Sequence, residues 1–140
     1  MNRQRIAIIL GSADGLGLSV AEITSLLHHQ PAIFRAGLGA GLGELVSMGA
    51  AVWLSSDPAE QAGFWPAVAC GIASLLGCLL PVVPYAFTSG TTALTAAAVI
   101  AAAVGAVISR LRPERGLLAV TETYGVLIAA GLLCWGASLI

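Results

Sequence analysis

Three residues have types and spacing that suit metal chemistry: Asp14 in "GSADGLGL", and Glu44 and Met48 in "GLGELVSMGA". Glu44 and Met48 are four residues apart and so share a helix face. Two carboxylates supply negative charge and hard oxygen ligands. A thioether beside them disfavours Mg²⁺ and Ca²⁺ relative to a softer divalent transition metal such as Fe²⁺. All three lie in apolar runs, where an acid at a helix centre costs about 2.5–3.5 kcal/mol on insertion scales. Acids kept at that cost face a pathway or a partner.

The elements that carry them follow from composition. The chain has 140 residues, of which 58% are hydrophobic and only 9% charged. A soluble domain of this length needs more charge to cover its surface. The apolar residues come in long blocks, so the expected fold is all-α and integral to a membrane. Five spans are expected, at about 6–27, 33–54, 65–83, 91–109 and 117–140. Pro31, the stretch "SSDPAEQAGF" with Asp57 and Glu60, "PVVPYAFTSG" and "SRLRPERG" mark the joints. Pro81 and Pro84 are expected to bend or close the third span. The basic start and the apolar run after it are expected to remain as the first helix, since no small-x-small cleavage site follows.

All six basic residues are arginine. Placing the N-terminus in the cytoplasm puts Arg3, Arg5, Arg110, Arg112 and Arg115 inside and only Arg35 outside. The positive-inside rule therefore predicts a cytoplasmic N-terminus and an external C-terminus. A net charge of −1 gives no electrostatic basis for nucleic-acid binding. No phosphate loop, dinucleotide fingerprint, HExxH, GxSxG or zinc spacing occurs, so no enzymatic activity and no resident cofactor are expected. Cys70, Cys78 and Cys134 lie in apolar runs without CxxC spacing and read as small buried hydrophobes.

Depth brings the three candidate ligands together. At the helical rise, Asp14 lies roughly 12 Å from the cytoplasmic start of the first span, and Met48 and Glu44 roughly 9 and 15 Å from the same side of the second. No basic residue falls in the middle of a span, so these acids must be protonated, hydrated or paired with a cation from outside the chain. Glycines surround them. Gly11 and Gly17 stand at −3 and +3 from Asp14, and Gly37, Gly39, Gly41 and Gly43 make two overlaid GxxxG spacings, with Gly37 and Gly41 forming one of them. Small residues at such spacing let helices pack closely in lipid. Glu22, nearer the outer surface, is either a proton relay or an interfacial acid. Glu122, near the cytoplasmic boundary of the fifth span, either guards an entrance or snorkels to the surface. His28 and His29 read as an interfacial pair, with pH sensing or metal exit as the other reading.

In order, four stretches resemble the vacuolar iron transporter family. "GSADGL" is similar to its first-helix Asp-Gly motif. "AGLGAGLGELVSMGAAVWLSS" is similar to its second helix, with Ser47 and Met48 on the Ser-Met pair. "GIASLLGCLLPVVPYAF" and "GLLAVTETYGVLIAAGLLCWGASLI" resemble its third and last helices. The resemblance implies five spans, a homodimer with the pathway between subunits, and export of Fe²⁺ and often Mn²⁺ from the cytosol in exchange for protons. It also implies that Asp14 and Met48 bind metal in transit. Two features depart from the pattern: the long Glu-rich cytoplasmic insertion is missing, and Val52 stands where the family places a Glu four after the Met. Glu44, four before the Met, is expected to supply that carboxylate.

The expectation is thus an Fe²⁺ or Mn²⁺ transporter that exchanges metal for protons. Its partners would be a second copy of itself, the lipid bilayer and divalent metal ions, and a bacterial plasma membrane is its expected location. The alternative is a membrane scaffold or accessory protein that keeps the fold without transport. A transporter of organic cations that uses Asp14 as its acid is a further reading, disfavoured by Met48.

Overall fold

A computed structural model describes residues 3–56, 63–112 and 117–139. Those residues form five long helices: α1 (Arg3–Ser25), α2 (Gln30–Leu54), α3 (Phe64–Val82), α4 (Gly90–Leu111) and α5 (Leu117–Ala137). No strand occurs among the described residues. All five helices are long and apolar enough to cross a membrane, with mean hydropathy between 1.3 and 2.1. The described residues therefore match the expected all-α fold, with five helices long and apolar enough to span. Asp57, Glu60 and Arg115 lie outside the described residues.

The joints differ in detail from the expected boundaries. α1 begins at Arg3, and the link to α2 is a single 3-10 turn, Leu27–His29. Pro31 starts α2 instead of separating the spans, because a proline in the first turn gives up only an N–H that would have no helical partner. Pro81 lies inside α3, which runs one residue past it to Val82 before tightening into a 3-10 turn over Val83–Ala86. Gly90 opens α4 with φ +70, a conformation that glycine adopts without steric cost. Its N–H donates to Gln30 Oε1 at 2.6 Å, tying the start of α4 to the start of α2.

α3 is the central helix, and it packs on α1 and α2 through glycines. A Cβ at Gly11 would run into the Cys70 carbonyl oxygen, and one at Gly15 into that of Ser74. In return, a Cβ at Gly77 would stand 2.7 Å from Ser12 O. Contacts that advance together along both chains make α1 and α3 parallel. On the other side, a Cβ at Gly71 would meet Leu45 O, while Gly41 faces Leu75 and Gly37 faces Val82, so α2 runs antiparallel to α3. Backbones this close gain dispersion and lose little side-chain entropy, which is what associates helices in lipid.

α4 and α5 are held by polar contacts at two levels. Tyr124 donates its hydroxyl proton to Ala102 O at 2.6 Å, with its ring against Gly105. The Arg112 guanidinium pairs with Glu122 at 2.6 Å. Arg5 Nε–H donates to Leu111 O at 2.9 Å, so the arginines of α1 and α4 share one end of the bundle. Trp53, Phe64 and Trp65 form two edge-to-face pairs at that end, with centroids 5.5 and 5.3 Å apart. Amphipathic aromatics of this kind favour the headgroup level of a bilayer.

Candidate metal centre

The acids halfway along the bundle are positioned by the glycine seams. Gly15 brings α1 onto Ser74 of α3, and Gly71 brings α2 onto α3 at Leu45. Asp14 and Glu44 adjoin these contact points, one on each flanking helix. Their carboxyl groups approach each other closely. Ser74, fully buried on α3, donates its hydroxyl proton to Glu44 Oε2 at 3.3 Å. Two ionised carboxylates are both pure acceptors and cannot hydrogen-bond to each other without a proton.

No positive side chain lies near this pair along its helices. Described basic residues of α1, α2 and α4 are confined to helix ends: Arg3, Arg5, Arg35, Arg110 and Arg112. Asp14 is exposed on the bundle surface, whereas Glu44 is half-buried. The centre is thus reached from the flank of α1 and α2. Met48 is one turn along α2 from Glu44, on the same face and nearer the arginine-rich end, where the neighbouring Gly49 faces Ala67.

Among the described residues, no three His, Cys, Asp or Glu side chains converge on one point. The centre is a carboxyl pair with a hydroxyl beside it, and Met48 lies one turn below. Two carboxyls and a hydroxyl are hard oxygen donors of the kind divalent cations take.

Residues missed by spacing alone lie on α3. Cys70, Ser74 and Cys78 recur every four residues and make one buried stripe facing α1 and α2. Cys70 lies within electrostatic reach of Asp14 and Glu44, and Cys78 within reach of Glu22 and Glu44. Cys78 Sγ also contacts Gly37 O at 3.5 Å. The reading of Cys70 and Cys78 as buried holds, but their surroundings are acidic instead of purely apolar. The four-residue repeat on an otherwise aliphatic helix is the signal for this stripe.

The remaining sequence candidates separate. Gly11, Gly37 and Gly41 are buried packing glycines. Gly17 has nothing within 4 Å of its Cβ position in the single chain, and Gly15 takes the second place in the α1 seam. Positions −3 and +3 from Asp14 sit about 120° apart around the helix, so both cannot enter one seam. Glu22 turns inward between α1, α2 and α3. Its Oε2 is buried without a hydrogen-bond partner, 3.1 Å from where a Gly37 Cβ would stand. Glu122, read as an entrance guard or a snorkelling acid, is paired with Arg112, because the end of α4 lies against the start of α5. His28 and His29 are exposed in the turn between α1 and α2.

No family model matches the chain, and no curated protein or solved structure matches it.

Proposed function

We propose that the protein carries a divalent transition metal, Fe²⁺ or Mn²⁺, out of the cytosol in exchange for protons. The observation that carries this reading is the close Asp14–Glu44 carboxyl pair, halfway along a bundle whose described helices bring no basic residue to it. A cation arriving at the pair displaces the shared proton, because metal ligands must be deprotonated. A returning proton expels the cation. Binding and proton exchange thus use the same oxygens. Met48 adds a soft donor one turn away, which favours Fe²⁺ or Mn²⁺ over Mg²⁺. Glu22, two turns further along α1, serves as a second proton acceptor on the outer side.

The resemblance to vacuolar iron transporters agrees with this reading in the order of its motifs. In this reading the chain works as a homodimer in a bacterial plasma membrane, with the exposed Asp14 flank facing the second subunit. The clustering of Arg3, Arg5, Arg110 and Arg112 at one end supports a cytoplasmic N-terminus and an external C-terminus.

Val52 at the family's Glu position favours a second reading, a scaffold that has kept the fold and lost transport. Equilibrium binding of Fe²⁺ and Mn²⁺ to the purified protein separates the two. Saturable binding that is lost in Asp14→Asn supports the transporter. Absence of saturable binding by the wild type leaves the scaffold.

A further inference from the structure

Among the described residues, two buried side-chain oxygens have no hydrogen-bond partner: Glu22 Oε2 and the Tyr85 hydroxyl. Both lie toward the end of the bundle opposite Arg3, Arg5, Arg110 and Arg112. Val82, the last residue of α3, connects them. A Cβ at Gly37 would stand 2.6 Å from Val82 Cγ2 and 3.1 Å from Glu22 Oε2, so the carboxyl and Val82 meet on the bare backbone of α2. Tyr85 follows Val82 by three residues in the 3-10 turn, a spacing that stacks side chains. It is 8% exposed and belongs to one buried cluster with Val82, Ile23 and Ile33. Glu22 and Tyr85 thus border one cluster, approached from α1 and from the turn after α3.

Among the described residues, no basic group faces Glu22 from the elements around it. On α2, Arg35 is exposed, two residues from buried Ile33 and from buried Gly37, and hence on the far side of that helix. On α3, Cys78 lies within electrostatic reach, but its thiol is turned to Gly37 O at 3.5 Å. α5 approaches α1 at Val20 and Thr24 through Gly131. Glu22 falls midway between those two in sequence, so it sits on another side of α1 from α5 and its Cys134. α4 offers only Ala93 and Ala97 to the cluster. His28 and His29 are exposed in the turn, and Asp14 and Glu44 lie two turns away.

The donors decide what such a site holds. One carboxyl and one phenol supply at most a single carboxylate charge, and among the described residues no group of three His, Cys, Asp or Glu gathers here. A divalent ion asks for several oxygen ligands. A proton asks for one carboxyl oxygen. A phenol both donates and accepts, so it can serve the carboxyl in its acid and its ionised form. An acid within a span and without a counter-charge is the usual mark of a proton relay.

We infer that Glu22 and Tyr85 form a proton-binding site in this half of the bundle, in which Glu22 takes up and releases the proton and Tyr85 positions the carboxyl through its hydroxyl. The proton's destination rests on the transport reading above: the proton that returns to Asp14 and Glu44 passes by way of Glu22. Ser74, bonded to Glu44, and Cys78 lie along the interval.

The test uses the full chain in detergent micelles, with glutamate labelled by ¹³C at the side-chain carboxyl. Loss of one resonance in Glu22→Gln assigns the signal. At pH 7, where exposed carboxyls are ionised, that resonance should stand at the carboxylic-acid position. It should move in Tyr85→Phe, which removes one oxygen and keeps the ring. A Glu22 resonance at the carboxylate position, or one unmoved in Tyr85→Phe, would overturn the proposal. A second arm measures Mn²⁺ binding in micelles and proton counterflow in vesicles. Glu22→Gln should bind Mn²⁺ as the wild type does and lose the counterflow; undiminished counterflow would overturn the proposal. Failure of the wild type to bind Mn²⁺ removes the transport reading instead, and the resonance then decides the proton site by itself. If circular dichroism shows that Glu22→Gln has lost its helix content, Glu22→Asp assigns the same signal while keeping an acid.

Discussion

Asp14 of α1 and Glu44 of α2 bring their carboxyl groups together, and Ser74 of α3 donates its hydroxyl proton to Glu44 at 3.3 Å. The pair joins three helices at the level where α1 and α3 approach backbone to backbone. It couples structure to chemistry, since two carboxyls at close range can hydrogen-bond only by sharing a proton.

Asp14→Asn keeps volume and retains an N–H donor for Glu44, so the helices should assemble normally. Loss of a ligand charge should weaken Fe²⁺ or Mn²⁺ binding by at least the roughly 10–100-fold typical of outer-sphere changes. Glu44→Gln should do the same, and adding Val52→Glu should restore part of the affinity. Ser74→Ala removes a group that orients Glu44 and should cost about tenfold at the lower end of that range. Isothermal titration of the purified variants reads all of these. Wild-type affinity in Glu44→Gln would show that Glu44 does not contribute to the centre.

Metal affinity should rise with pH. In the proposed exchange, each bound ion displaces a proton from its carboxyl ligands, so protonation competes with the metal as pH falls. Where one proton is displaced, the apparent affinity should tighten about tenfold per pH unit while the pair is protonated, and level off once it is fully ionised. Titration in two buffers of different ionisation enthalpy measures the protons released. A flat profile from pH 5.5 to 8 would mean that the metal binds without disturbing the pair.

The glycines of α1 should differ sharply in tolerance. Gly15→Ala forces a methyl group onto the Ser74 carbonyl and should destabilise the bundle by about 1–3 kcal/mol, the usual range for overpacking. Gly17→Ala enters open space and should be neutral or slightly favourable in a single chain, since alanine is the better helix former by about 1 kcal/mol. Unfolding in mixed micelles compares the two. Equal losses would place Gly17 in a seam between subunits.

In the proposed topology, five spans put the two termini on opposite sides of the membrane. Reporters that respond to compartment, fused at Met1 and Ile140, should read cytoplasmic and external respectively. Both ends on the same side would remove the orientation and require a different number of spans.

Much of this fold was legible from long apolar blocks. A bilayer demands helices of about 20 residues whose backbone groups are satisfied internally, so composition alone leaves few options. The proximity of Asp14 and Glu44 was also legible, because antiparallel neighbours of known rise place residues at computable depth. Three features escaped. Gly17 was grouped with Gly11 on proximity to Asp14, although a spacing of six residues turns the two away from each other. The Cys70–Ser74–Cys78 stripe was hidden because cysteine and serine pass as small residues in an apolar helix. The Arg112–Glu122 pair depends on how the ends of α4 and α5 meet, and nothing in either segment alone reveals that.

The central claim is that one carboxyl pair exchanges a metal ion for protons across the membrane. Its most direct test is reconstitution of the wild type and Asp14→Asn in proteoliposomes that trap a pH-sensitive dye. Fe²⁺, Mn²⁺ or Zn²⁺ is added outside, with and without an imposed pH gradient. Wild-type vesicles should accumulate Fe²⁺ or Mn²⁺ while protons move the opposite way, a proton gradient of the right sign should drive that accumulation, and Asp14→Asn should abolish both fluxes. Metal entry without proton counterflow, or equal fluxes in wild type, Asp14→Asn and empty vesicles, would contradict it.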